Sequence, residues 1–326
     1  MFYSLSIIPG LLIWASYIEP NIVQTHRLTW FLDEKSLHLE NLKIIFISDL
    51  HIKKNIPNFF LRKIIKKINS YAPDILLFGG DFICRASLED PSRLKEFFSS
   101  FSPKYGSYGV LGNHDYSEYV SQTNNYEIKI IKNTKGHVIK RILSSLKNSF
   151  SGSCPKITFH SSLKTISQHS QLMNLLKNTP IKILHNETIS LPIGLNVVGL
   201  GEYMLQKTDP KTAFLSYDSN LPGIVLLHNP NAISQIISYP GDWILSGHTH
   251  GQQIKIPGLN YFKNFASCLT GIQDPKLLRG LTSICEPNSQ KINKYIYVNR
   301  GLSSGGSRIR FNSIPEITYI QCKRHV

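Results

Sequence analysis

The chain of 326 residues contains few cysteines, and these are not arranged in pairs. No Cys-x-x-Cys spacing occurs among Cys84, Cys154, Cys268, Cys285 and Cys322. An odd number of widely separated cysteines argues against a disulfide framework and against a zinc–thiolate site. The cysteine content therefore predicts a protein that works in a reducing compartment.

Charged residues are also scarce, and acidic residues most of all. Charged residues make up 17% of the chain against 41% hydrophobic residues, which excludes an intrinsically disordered protein. The 36 Lys and Arg outnumber the 21 Asp and Glu, so the formal net charge is +15. This excess favours an anionic partner such as nucleic acid, phospholipid headgroups or a phosphorylated substrate. A generally basic host proteome is the alternative explanation. Because no recognised nucleic-acid-binding motif is present, we expect no nucleic-acid partner.

The N-terminal residues 1–18 contain no Asp, Glu, Lys or Arg. This apolar run is marginal for a membrane span, which needs about 20 residues, and Pro9-Gly10 interrupts it. It lacks the basic start and the small-residue cleavage site of a signal peptide. Three interpretations stay open: a short or in-plane membrane anchor with Trp14 and Tyr17 at the interface, a buried helix, or a true span. We take residues 1–20 as a membrane-associating segment.

Short apolar strands alternate with amphipathic helices in the first part of the chain. Residues 42–48, 75–78 and 109–111 have the composition of buried strands. Helices are predicted between them, over residues 56–70 and 94–101. In open α/β sheets ligands bind beyond the carboxyl ends of strands, which is where this chain places its polar residues.

Further strands follow later in the chain. We predict them over residues 195–200, 223–227 and 243–246, and we expect residues 295–298 and 317–321 to close a second sheet. The predicted fold class is therefore α/β, or α+β.

Residues 116–177 differ in composition from what surrounds them. They are rich in Ser, Asn and Lys, with helical stretches over 139–146 and 166–176. We predict an insertion or cap, because long insertions in compact domains are usually lids or binding elements. A flexible surface loop is the alternative.

Asp, His or Asn directly follows each of five predicted strands. In Asp49-x-His51 and His248-x-His250, side chains two residues apart on an extended segment leave the same face. Asp81 follows two glycines that permit a sharp turn, so its carboxylate can bridge two cations. Singly each motif could be an ordinary turn or cap. Together they offer a ligand set suited to Mn, Fe, Zn or Co rather than Mg or Ca. The set comprises Asp49, His51, Asp81, Asn113, His228, His248 and His250.

The segments DLH, GGD, GNHD, LLHNP and GHTH resemble the signature of the calcineurin-like metallophosphoesterases. The resemblance implies a four-layer sandwich of two mixed β-sheets flanked by helices, with the domain over residues 41–322 and the insertion within it. It also implies two divalent metal ions, with Mn²⁺ the first candidate. One ion would be held by Asp49, His51, Asp81 and His250, and the other by Asp81, Asn113, His228 and His248. His114 would lie beside the scissile phosphate, oriented by Asp115.

One position departs from the family pattern. Many relatives continue GHTHGGQ, whereas this chain has Gln252 in place of the second glycine. The turn after the last ligands is therefore expected to differ.

The C-terminal stretch from Asn299 to Ile317 resembles a membrane-associated branch of the family. With the apolar N-terminus, the basic charge and the insertion, it is similar to bacterial enzymes of lipid A synthesis that hydrolyse UDP-2,3-diacylglucosamine to UMP and 2,3-diacylglucosamine 1-phosphate. This implies a lipid-linked nucleotide sugar as substrate and the cytoplasmic face of the bacterial inner membrane as location. Residues 116–177 would then be an acyl-binding cap. Action on another phospholipid or nucleotide is one alternative, and a non-catalytic scaffold is another.

Two arginines near the C-terminus are candidate substrate-binding residues. The guanidinium groups of Arg308 and Arg310 have the geometry to bind a phosphate bidentately. A solvated basic strand edge is the alternative.

Overall fold

The structure is a computed structural model that describes residues 4–132, 136–150, 154–255, 261–285, 292–303, 305–306 and 308–324. The strands are β1 (Gln24–Leu32), β2 (Lys43–Ile47), β3 (Ile75–Phe78), β4 (Ser107–Gly109), β5 (Val120–Gln122), β6 (Glu127–Ile130), β7 (Thr158–Phe159), β8 (Ile181–Ile183), β9 (Glu187–Leu191), β10 (Leu195–Gly199), β11 (Gly223–Leu226), β12 (Trp243–Ser246), β13 (Gly280–Cys285), β14 (Ile292–Val298) and β15 (Glu316–Arg324). The helices are α1 (Ser4–Ile13), α2 (Asn58–Ser70), α3 (Pro91–Ser99), α4 (His137–Phe150), α5 (Ser170–Leu176), α6 (Pro210–Ala213), α7 (Ile233–Ile236) and α8 (Tyr261–Thr270).

Two mixed sheets form the body of the molecule. The first has the order β1-β15-β2-β3-β4-β8, in which β2, β3, β4 and β8 are parallel and β15 is antiparallel to β2. The second has the order β13-β14-β12-β11-β10-β9, in which β10, β11, β12 and β14 are parallel. The parallel strands direct their carboxyl ends, and the polar residues that follow them, to one side of each sheet.

Alternate residues of each strand face different cores. In β2, Ile44 and Phe46 belong to the core between the two sheets, whereas Ile45 and Ile47 belong to the core beneath α2 and α3. The outer face of the second sheet packs against α7 and α8. Burying an aliphatic or aromatic side chain stabilises the fold by about 1.5–3 kcal/mol. The predicted four-layer sandwich, in which two mixed sheets are flanked by helices on both sides, is thereby confirmed.

The last strand corrects one prediction. We expected residues 317–321 to lie in the second sheet, but β15 lies in the first sheet between β1 and β2. Its buried residues suit an interior strand of either sheet, so composition alone could not assign it. Because β14 belongs to the second sheet and β15 to the first, the chain between them crosses from one sheet to the other.

The first sheet begins before the predicted domain boundary at residue 41. β1 pairs in parallel with β15 along its whole length, from Gln24↔Glu316 to Leu32↔Arg324. This strand alternates poorly between buried and exposed residues, which explains why pattern reasoning missed it.

The predicted insertion, residues 116–177, builds a small layer of its own. β5, β6 and β7 form a separate sheet, and α4 and α5 follow the predicted helical stretches. The main sheet resumes at β8. Its role as a cap stays a prediction.

The N-terminal segment is helical and partly exposed. α1 continues through a π-helical turn, Trp14–Ile18, and a 3-10 turn, Glu19–Asn21. Leu12, Ile13 and Tyr17 are 59%, 54% and 73% exposed, which contradicts the interpretation of this segment as a buried helix. Across the described ranges, each helix falls short of the length and apolar character needed to cross a membrane.

A disulfide joins Cys154 to Cys268 and so ties the segment after α4 to α8. This corrects the prediction drawn from cysteine spacing, and the inference of a reducing compartment loses its basis. Sequence spacing could not reveal the pair, because the two cysteines are 114 residues apart and meet only in the folded chain. Cys84 and Cys322 are free and buried.

Cys154→Ser should lower the free energy of unfolding by about 2–4 kcal/mol, because the disulfide restricts a long loop of the unfolded chain. Urea unfolding without reductant measures the change. With reductant, the wild type should have the same free energy of unfolding as Cys154→Ser. The control variant Cys84→Ser should lose stability on reduction by as much as the wild type does. If reductant leaves wild-type unfolding unchanged, the disulfide does not form.

Candidate metal centre

The ends of five strands bring the predicted ligands to one place. Asp49 and His51 follow β2, Asp81 follows β3, Asn113 follows β4, His228 follows β11, and His248 and His250 follow β12. Both sheets therefore contribute, and one contact, from the backbone N–H of His248 to the Asp49 carboxylate, joins residues that lie 199 positions apart. Asp49, His51, Asp81, Asn113 and His228 are buried, and the two later histidines are partly exposed.

The backbone at these residues is unusual. Asp49, His51, Asp81, His248 and His250 all have positive φ, between 41° and 70°. Few residues other than glycine adopt this region, and such conformations persist where surrounding structure enforces them, often at active sites. We predicted that Asp49 and His51, and likewise His248 and His250, lie on extended strands and so project from one face. The structure corrects this, because both strands end before these residues. They are aimed by turns rather than by the pleat of a strand.

Gly80 shows how closely these turns pack. It has φ +91°, and a Cβ there would lie 2.5 Å from Gly112 N and 2.9 Å from His228 Nδ1. The turns after β3, β4 and β11 can meet only because this position has no side chain.

The carboxylate of Asp81 lies at the centre of the cluster. Its Oδ2 is 3.4 Å from His51 Nε2 and 3.3 Å from His228 Nε2. Its Oδ1 accepts a hydrogen bond of 2.9 Å from the backbone N–H of His114. Burial disfavours the charged form, but His228 and the other histidines outweigh it and hold the pKa of Asp81 well below its usual value.

The hydrogen bonds of three histidines determine which ring nitrogen carries the proton. Nδ1 of His51 lies 3.1 Å from Ile83 O, Nδ1 of His228 lies 2.7 Å from Gly79 O, and Nδ1 of His250 lies 3.0 Å from Ser303 O. A carbonyl oxygen only accepts, so each Nδ1 donates and each neutral ring directs the lone pair of Nε2 inward. Those lone pairs face the carboxylates of Asp81 and Asp49. Such a pair of nitrogen and carboxylate oxygen is stable only with a positive charge between the two atoms, from a proton or a metal ion.

The pKa values of the cluster lead to the same conclusion. Burial lowers the pKa of His51, His248 and His250, so these rings are neutral at neutral pH, the form in which imidazole can bind a metal ion. Burial also opposes a charged His228, but Asp81 outweighs it and raises the pKa of His228 well above its usual value. A positive charge between His228 and Asp81 is therefore favoured, whether it comes from a proton or a metal ion.

A second set of donors lies on the other side of Asp81. His248 Nδ1 is 3.1 Å from Asn113 Oδ1 and 3.3 Å from His228 Nε2. The Asn113 amide donates through Nδ2 to Val120 O, so its oxygen is directed at His248. Asp49, His51 and His250 form the first set, with donor atoms within 4.8 Å of one another. The two sets share Asp81, and their nitrogen and oxygen donors suit two divalent transition-metal ions.

Another group with metal-like spacing, His51, Cys84 and His114, has a different explanation. The Cys84 thiol donates to Gly305 O at 3.0 Å, and burial raises its pKa, so it is a protonated thiol. A protonated thiol is a poor metal ligand.

His114 is oriented by a backbone group and not, as we predicted, by Asp115. The N–H of Arg85 donates to His114 Nδ1 at 2.8 Å, so the ring proton is on Nε2. Burial lowers the pKa of His114 to about 4, and the ring is therefore neutral. The Asp115 carboxylate instead accepts from the N–H groups of Phe82, Ile83 and Gly112, at 2.8 to 3.0 Å. It fastens the turn after β3 to the turn after β4.

The segment between β14 and β15 passes behind the first set of donors. Its Ser303 carbonyl faces His250, and the Ser313 hydroxyl donates to His250 O at 2.8 Å. Buried Glu19 accepts from the N–H groups of Asn312 and Ser313, so the N-terminal segment holds this chain in place.

Arg310 and Arg308 both make structural contacts, which corrects the predicted role of Arg310 in phosphate binding, whereas that role stays a prediction for Arg308. Arg310 is 1% exposed, and its guanidinium donates to the carbonyls of Arg300, Ser313, Gly301 and Ser303. Arg308 donates to Pro20 O and Asn21 Oδ1 and lies over the Phe60 ring. Both guanidinium groups therefore fix the C-terminal segment and the N-terminal turn.

The turn after His250 accommodates the departure at Gln252. This residue has φ +77° and Gln253 has φ +55°, conformations that favour glycine. Gln252 therefore adopts a strained backbone conformation at the position of this departure, and the predicted difference from the turn of relatives stays a prediction.

The family of the chain follows from comparison with known proteins. The model of the calcineurin-like phosphoesterase family matches residues 42–252. The chain is 42% identical to UDP-2,3-diacylglucosamine pyrophosphatase LpxG of Chlamydia trachomatis serovar D, over 95% of this chain and 92% of the relative. It is 25% identical to phosphodiesterase YaeI of Escherichia coli K12, over 94% of this chain and 91% of the relative. The chain belongs to the calcineurin-like phosphoesterases, a family of hydrolases that uses divalent metal ions.

Asp115→Asn should lower the free energy of unfolding by about 1–3 kcal/mol, because the amide cannot accept from all three backbone N–H groups. Thermal unfolding measures the change, and Glu118→Gln, an exposed neighbour, should leave stability unchanged. If Asp115→Asn kept the stability of the wild type and lost only activity, the predicted role of Asp115 in orienting His114 would be correct after all.

Proposed function

We propose that the protein hydrolyses the pyrophosphate bond of UDP-2,3-diacylglucosamine and releases UMP and 2,3-diacylglucosamine 1-phosphate in lipid A synthesis. The observation that carries this proposal is the 42% identity, over 95% of the chain, with a relative that bears this activity in its name. The described cluster supports it, because all seven predicted ligands lie within the two sets that share Asp81.

Each of the two donor sets would hold one divalent metal ion, and Mn²⁺ is the first candidate. Asp49, His51 and His250 would hold one ion, Asn113, His228 and His248 the other, and Asp81 would contact both. When bound, such ions neutralise phosphoryl oxygens and make water a nucleophile at neutral pH. The backbone carbonyls behind His51, His228 and His250 fix the ring orientations, as outer hydrogen bonds do in other metal sites.

His114 acts as a hydrogen-bond donor to a phosphoryl oxygen. Its proton is on Nε2, and its pKa of about 4 makes a charged ring unfavourable at neutral pH. The leaving group of this reaction is a phosphate monoester with a second pKa of about 6, so it departs without being protonated. Donation to the charge that develops in the transition state is therefore the contribution expected of His114.

The N-terminal segment would bring the site to the cytoplasmic face of the bacterial inner membrane, where a lipid-linked substrate resides. Leu11, Leu12, Trp14 and Tyr17 are exposed apolar and aromatic side chains, as in segments that lie in the membrane interface. Glu19 connects this segment to the chain behind His250.

Hydrolysis of a different phosphodiester is the second candidate. It is favoured by the similarity to a relative named as a phosphodiesterase. The same two donor sets would serve that reaction, so the substrate must be decided by assay.

The test is to incubate the purified protein with Mn²⁺ and UDP-2,3-diacylglucosamine and to measure UMP and the lipid phosphate. Asp81→Ala removes the carboxylate common to both donor sets, and activity should fall by at least about 10³-fold. Glu34→Gln, at an exposed acidic residue, should retain wild-type activity. Activity on bis(p-nitrophenyl) phosphate without any on the lipid nucleotide would favour the second candidate, and full activity of Asp81→Ala would refute both.

A further inference from the structure

A group of basic side chains lies beside the metal centre and is not used by the mechanism above. α4 carries His137 and Arg141, and Arg85 follows the turn after β3. The Arg141 guanidinium donates to Ser121 Oγ at 2.9 Å and to Leu269 O. These contacts place α4 against β5 and against the end of α8.

This group adjoins His114 through Tyr119. The rings of Tyr119 and His114 are 5.0 Å apart edge to face, and the Arg85 guanidinium lies 5.8 Å from the centre of the Tyr119 ring. β5, which accepts the Arg141 bond at Ser121, also provides Val120 O to the ligand Asn113. Arg141 is thus connected to Asn113 through β5, and Arg85 is connected to His114 through Tyr119.

The donors of the group are incompletely used. Arg85 Nε, Arg141 Nε and His137 Nε2 are buried and have no hydrogen-bond partner. Within the described ranges, no acidic side chain lies within 4.0 Å of either arginine. Burial lowers the pKa of His137, and Arg141 and Arg85 lower it further, which places three basic groups close together. Arg85 and Arg141 are half-buried cations whose Nε atoms are shielded from water, and such cations without a counter-charge are costly unless an anion binds there.

We propose that Arg141 binds the phosphoryl group of the pyrophosphate that is not attacked, and so selects a disubstituted pyrophosphate over a simple phosphodiester. The inference rests on the proposed function and adds to it a residue that determines specificity. A disubstituted pyrophosphate carries one more negative phosphoryl group than a diester. The metal centre would hold the attacked group, and the second group would need cationic donors next to His114. Arg141 supplies these from the insertion, with the charge of Arg85 close by.

The test compares two substrates in three variants. Arg141→Gln should lower kcat/KM for UDP-2,3-diacylglucosamine by about 10- to 100-fold, the usual effect of removing a hydrogen bond to a charged group. Its kcat/KM for bis(p-nitrophenyl) phosphate should change less than about 3-fold, because that substrate lacks a second phosphoryl group. Arg141→Lys should recover part of the loss, because it restores the charge without the planar donors. Lys140→Gln removes a charge from the adjacent, exposed position and should leave both substrates unaffected.

A second measurement does not depend on the lipid substrate. UDP-glucose has the same disubstituted pyrophosphate and should inhibit wild-type hydrolysis of bis(p-nitrophenyl) phosphate competitively, with a Ki that rises at least about 10-fold in Arg141→Gln. If the wild type fails on the lipid nucleotide but shows this Ki difference, the proposed function fails and the subsite stands. Equal losses on both substrates, an unchanged Ki, or no inhibition of the wild type would overturn the subsite.

Discussion

The buried carboxylate of Asp81 faces two imidazole nitrogens at 3.3 and 3.4 Å, and the rest of the site is arranged around that contact. Both rings donate their Nδ1 protons to backbone carbonyls, so the Nε2 atom of each ring faces a negatively charged oxygen. This arrangement is stable inside a protein only with a positive charge, from a proton or a metal ion, between each nitrogen and the oxygen. The strained turns that aim the ligands, and the Asp115 carboxylate that joins two of those turns, all serve to hold this arrangement.

The two sheets cooperate because the chain crosses between them behind the site. β14 lies in the second sheet, β15 lies in the first, and the segment between them places Ser303 and Ser313 against His250. Arg310 secures that segment from within, and Glu19 secures it from the N-terminal side. The exposed apolar N-terminal segment and the candidate ligand His250 are thus separated by a few hydrogen bonds, and with the proposed membrane association these bonds would orient the site relative to a bilayer.

Much of the fold could be predicted from the sequence, because apolar strands followed at once by polar residues are a local pattern. The strands over residues 75–78 and 243–246 were predicted with the boundaries that the structure has. Three features depend on contacts between distant segments, and no local pattern encodes them. They are the strand β1, the assignment of β15 to the first sheet, and the Cys154–Cys268 disulfide. The candidate ligands could likewise be named from their motifs. The backbone donor that orients His114, and the burial of Arg310, could not be anticipated, because a guanidinium in sequence looks the same whether it faces a substrate or backbone carbonyls.

The central claim is that Asp81 lies between two metal ions. Anomalous diffraction from crystals grown with Mn²⁺ measures this directly. We expect two peaks about 3.5–4 Å apart, both in contact with the Asp81 carboxylate, one beside His51 and His250 and the other beside Asn113 and His248. A single peak, or peaks that do not contact Asp81, would contradict it.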